Sequence, residues 1–161
     1  QGVSSAASDV YKRQSYHLAC NLSSKIASVA SVTGSMTPET YNSCSPNHPT
    51  AVMQIHGDVD TVVPYYGNWR SRSIPDVMEY WEEYNNCQNE DISILSDVNN
   101  DGDGGFLFNY DQCLDDVEVT LYLMSNMGHE WPRYSNGNDI VAAEIIWNFF
   151  KQYDINGKII E

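Results

Sequence analysis

Basic residues are scarce in this sequence: 8 Lys and Arg stand against 22 Asp and Glu in 161 residues, a formal net charge of −14. Such a surface repels phosphate backbones and anionic headgroups, which argues against nucleic-acid and membrane partners. Long apolar runs are missing too. The longest, residues 26–32 and 140–150, fall well short of the roughly 18 residues a membrane-spanning helix needs. There is no C-x-x-C pair, which excludes the usual zinc and thioredoxin-like spacings, and there is neither a signal-peptide pattern, an internal repeat nor an interdomain linker.

What is present suits one globular domain, with 42% hydrophobic and 12% aromatic residues. The four cysteines, Cys20, Cys44, Cys87 and Cys113, are even in number and dispersed, which fits disulfides in an oxidising compartment; three pairings are open, and four buried thiols are the alternative. Ser4 to Gln14 reads SSAASDVYKRQ and resembles an in-frame translation of a transposon-end sequencing adapter. Residues 1–14 are therefore expected to be non-native, and residues 15–161 to be the authentic portion. Setting aside Asp9, Lys12 and Arg13 leaves 6 basic and 21 acidic residues, so the acidity belongs to the remainder.

Hydrophobic periodicity gives a coarse plan. Ser15 to Leu22 reads as a helix, Ile26 to Val32 as a buried strand, Met36 to Thr50 as loop and Ala51 to Ile55 as a second buried strand, the pattern of an α/β unit with parallel pairing. Ile74 to Tyr84 opens on a proline and puts Val77, Met78, Tyr80, Trp81 and Tyr84 on one helical face. Ile92 to Leu95 and Phe106 to Tyr110 flank an Asn/Asp/Gly cluster as hairpin arms, and Val117 to Met124 reads as a longer strand. Asp139 is placed to cap a closing helix from about Ile140 to Tyr153 that buries one broad face, with a peripheral tail after Gly157.

Two motifs sit where strands end: HGDVDTVVPY at His56 to Tyr65, and MGHEWP at Met127 to Pro132. Open α/β sheets place catalytic groups at such ends. An aspartate after one strand and a histidine after a later one follow the acid-then-base order of enzymes that attack esters with a serine: the histidine takes the serine proton and the carboxylate fixes the imidazole tautomer. With the closing IW-x-FF helix, the motifs HG-x-x-D-x-x-VP and GH-x-WP resemble those of secreted esterases of the polyhydroxybutyrate-depolymerase and feruloyl-esterase group, from Ser15 to about Tyr153.

That resemblance implies a partial α/β-hydrolase fold: the C-terminal half of one catalytic domain, a mostly parallel sheet with a hairpin insertion and a closing helix. It implies Asp60 as triad acid, His129 as base, Trp131 as a wall of the acyl pocket, disulfides Cys87–Cys113 and, more weakly, Cys20–Cys44, no cofactor, and a secreted or periplasmic monomer acting on small or polymeric esters. Asp58 falls on a position that varies in the family. The family's elbow, G-x-S-x-G-G, has no counterpart here: Ser15 lacks flanking glycines, and the family spacing would put the nucleophile at Asp9. The chain is thus expected to lack the serine and be inactive as it stands. A non-catalytic polysaccharide- or polyester-binding relative and a prolyl-oligopeptidase-like peptidase are the competing readings.

The remaining histidines read as bystanders: His17 as packing, His48 as solvent-facing, His56 as a residue that orients its loop. Asp97, Asn99, Asp101, Gly102 and Asp103 open like an EF-hand calcium loop, but Phe108 stands where the closing Glu belongs, so the segment reads as an acidic hairpin tip without a metal.

Overall fold

Residues 14–159 are described by the structure, a computed structural model; the adapter-like run lies almost wholly outside them. A helix through residues 14–21 (α1) precedes β1 (Ser28–Val32), α2 (Pro38–Ser43), β2 (Ala51–Gly57), α3 (Ile74–Asn85), β3 (Asn89–Leu95), β4 (Gly105–Asp111), β5 (Val119–Met124) and α4 (Ala142–Phe150), with a small ribbon, β6 (Tyr153–Asp154) and β7 (Gly157–Lys158), at the end.

The fold is mixed α/β. Its main sheet has the order β1-β2-β5-β4-β3, with β1, β2 and β5 parallel and the β3–β4 hairpin antiparallel on the far side of β5. All of β2 is buried, as expected of a strand covered on both faces. Its alternating side chains feed two cores. Val52 packs with Tyr16, Trp81, Val77 and Leu121 under α1 and α3, while Met53 and Ile55 pack with Val32, Met124, Ala142 and Phe149 under α4. Disulfides Cys20–Cys44 and Cys87–Cys113 tie α1 to the segment after α2 and the end of α3 to the β4–β5 connection. Both fit an extracellular setting, and no helix among the described residues is long and apolar enough to cross a membrane.

Three expectations need correction. The stretch from Met36 to Thr50 is not all loop: Thr37 accepts a hydrogen bond from the Thr40 N–H and Pro38 starts α2, a capped turn hidden in loop-like composition. The closing helix starts at Ala142, behind a non-capping Val141, because Asp139 spends its carboxylate elsewhere. Nor does that helix bury a broad face: Ala142 and Phe149 are buried, but Trp147 is 68% exposed. The tail beyond it is pinned by β6–β7 pairing and a Lys158–Glu118 ion pair.

Candidate functional site

Parallel pairing of β2 with β5 sets His56 opposite Leu123 and Gly57 opposite Met124, so the loops after the two strands leave the sheet side by side. The Asp58 N–H donates to the Met124 carbonyl at 3.1 Å, and Gly57 lies so close to Met127 that a Cβ there would fall on its carbonyl oxygen. A backbone cannot retreat as a side-chain tip can. Gly57→Ala is therefore expected to cost about 2–3 kcal/mol through overpacking, lowering the melting temperature; an unshifted melt would show that this close approach does not constrain the loops.

Asp60 is buried at the end of the first loop and uses its two oxygens differently. Oδ1 accepts the Val62 and Val63 N–H groups at 2.8 and 2.9 Å, closing an Asx-type turn. Oδ2 faces Nδ1 of His129 at 2.8 Å. An ionised carboxylate only accepts, so Nδ1 carries the proton and the ring's lone pair is on Nε2. Burial pushes the Asp60 carboxyl up, yet the His129 bond, the Val63 and Val62 N–H groups and the His129 charge together hold it below the ordinary carboxylate value.

The sign of that shift fixes a stability effect. A depressed carboxyl stabilises the fold above the unfolded-chain pKa, about 3.9, and this contribution is lost as pH falls through the lower folded value. Between pH 5 and 2 the melting temperature is expected to fall more steeply for the native chain than for Asp60→Asn; parallel curves would refute the coupling.

A second buried network supports the loop from below. Tyr16 donates its hydroxyl to Gln54 Oε1 at 2.6 Å, Gln54 Nε2 lies 3.0 Å from His56 Nδ1, and His56 Nε2 lies 2.9 Å from the Val63 carbonyl. Gln54 has only donors on that nitrogen, so His56 Nδ1 accepts and its Nε2–H donates to Val63. His56 thus ties down the residue that donates to Asp60, its ring 3.7 Å from the carboxylate. Gln54 and Tyr16 were not singled out from sequence, although a glutamine inside the apolar run AVMQI is a visible anomaly.

Of the other residues read from sequence, Trp131 is half-exposed two positions past His129, Ser15 is partly buried on α1, Asp58 is exposed, and Asp9 lies outside the described residues. His17 is exposed beside Asn21, while His48 is partly buried with its ring nitrogens against the Pro49 and Ser23 carbonyls; their expected roles are reversed. Among the described residues, Asp97, Asp101 and Asp139 have oxygens within 4.8 Å of one another, close enough to converge on a cation, Asp139 coming from a distant loop that sequence spacing cannot see.

Chemically, the Asp60–His129 pair can take a proton at Nε2 while the carboxylate stabilises the resulting imidazolium. No family model matches the chain, and no curated protein matches it.

Proposed function

We propose that Asp60 and His129 are the acid and base of a serine-dependent carboxylic ester hydrolase with an α/β-hydrolase fold, acting on polyesters or on feruloylated or acetylated polysaccharide. The observation that carries this reading is the 2.8 Å contact between Asp60 Oδ2 and His129 Nδ1, made by a buried carboxylate across two adjacent strand ends. Three further features support it. Asp60 and His129 follow two adjacent parallel strands, β2 and β5, in the acid-before-base chain order of the α/β-hydrolases; two disulfides suit a secreted enzyme; and Trp131, two positions past His129, leaves an apolar ring half-exposed.

The serine is not among these residues, since no Gly-x-Ser-x-Gly occurs anywhere in the sequence. In this reading it belongs to the preceding part of the gene, on a strand-to-helix elbow leading into α1. The full catalytic cycle is serine attack on the ester carbonyl with the proton passing to His129 Nε2, return of that proton to the departing alcohol, and hydrolysis of the acyl-enzyme by water that His129 deprotonates in turn.

The test is the upstream reading frame and its product. An in-frame Gly-x-Ser-x-Gly, with hydrolysis of aryl and polymeric esters and labelling of that serine by a fluorophosphonate, is the expected result. The 161-residue chain alone is expected to be neither active nor labelled. An intact frame without the elbow would instead favour a binding protein that keeps the surface and not the reaction.

A further inference from the structure

His129 sits in a segment, residues 125–139, whose regular structure is limited to one 3-10 turn at Tyr134–Asn136. Both ends of this segment grip the same object, the acidic tip between β3 and β4. At the near end the Ser125 N–H donates to the Gly104 carbonyl at 3.1 Å, and Asn126 Nδ2 donates to Asp103 Oδ1 at 2.6 Å. At the far end Asp139 accepts the Val98 N–H on Oδ1 at 2.6 Å and the Gly104 N–H on Oδ2 at 3.0 Å, while Asn99 Nδ2 donates to the Gly137 carbonyl at 2.6 Å.

We infer that the β3–β4 tip is a clasp that holds the histidine loop against Asp60, with Asp139 as a positioning residue for His129. The inference rests on reading His129 as the catalytic base. A carboxylate accepting two backbone N–H groups makes charge-assisted bonds, the stronger kind. Asp139 is 6% exposed, and each of its carboxylate oxygens accepts one of those two amides. It caps no helix; what it joins is the far end of the base's loop to the hairpin. The acidic tip, which has no part in the proton transfer itself, thereby acquires a role in it.

The experiment uses the 161-residue chain, labelled with 15N in histidine and tryptophan. In the native chain the His129 Nδ1 proton, shared with Asp60, is expected to be observable and slow to exchange with water. In Asp139→Ala that proton should exchange at least about tenfold faster, because the loop opens once its strongest far-end bonds are lost, while the buried Trp81 indole resonance stays in place. Asn99→Ala, an exposed change that removes the Gly137 strap, should move exchange in the same direction by less. Unaltered His129 exchange in a folded Asp139→Ala overturns the clasp; if that variant does not fold, unaltered exchange in Asn99→Ala overturns it. A native chain with no proton shared between His129 and Asp60 sinks the proposed dyad itself, and the clasp with it.

Discussion

Asparagine at position 60 is expected to lower kcat of the proposed serine-bearing enzyme about 10⁴-fold, the size seen when a triad carboxylate is replaced by its amide, with KM little changed. The division of labour on the carboxylate makes this a clean experiment. An asparagine Oδ1 still accepts the Val62 and Val63 N–H groups, so the turn that shapes the loop survives. The Oδ2 position becomes an NH₂ that donates to His129 Nδ1, which forces the ring proton onto Nε2, where the lone pair is needed. Base strength is thus removed without removing the base. Histidine 15N shifts should report the Nδ1–H tautomer in the native chain and the Nε2–H tautomer in the variant; an active Asp60→Asn, or one with an unchanged tautomer, would show that Asp60 is structural.

The second large effect is on stability. Each disulfide closes a sequence separation of 24 or 26 residues, and loops of that size stabilise by about 3 kcal/mol in the chain-entropy account. Losing both would remove about 6 kcal/mol, a large share of the roughly 5–15 kcal/mol typical of a domain. Cys87–Cys113 also bridges the end of α3 to the turn feeding β5, the strand that leads to His129. Reductant is expected to lower the melting temperature by about 10 °C or more, and a Cys87→Ala/Cys113→Ala double variant by about half of that. A melt unmoved by reductant would mean that the packed core alone carries the fold.

How much of this was legible in the sequence depends on the range of the interaction. The strands β1, β2 and β5 and helix α3 follow from local hydrophobic pattern, and the tertiary structure did not contradict it. Asp60 and His129 stand out because strand-end motifs with a fixed order imply a shared destination, although 69 residues separate them. Asp139 misleads for the opposite reason. An aspartate before an apolar run is a sound local signal for a helix cap, but two amides of the hairpin claim the carboxylate, and only the folded chain reveals that competition. The sequence IVAAEIIWNFF is apolar nearly all round, so periodicity cannot say which stripe faces inward, and Trp147 ends outside. Histidines 17 and 48 carry no periodic signal strong enough to place them. Asp139 also brings an oxygen within 4.8 Å of those of Asp97 and Asp101, from beyond β5, a proximity that no linear template encodes.

Backbone pairing of β2 with β5 also determines which genetic accidents the site can survive. Asp60 and His129 meet because Gly57 and Met124 end their strands at the same level. Many apolar residues could fill either strand without disturbing that alignment. Deleting a single codon from one of them would displace its loop by roughly 3.3 Å and turn every following side chain to the opposite face. Drift by substitution should therefore be tolerated along these strands, whereas length changes should collect in the outer turns, away from the β3–β4 tip that holds the histidine loop.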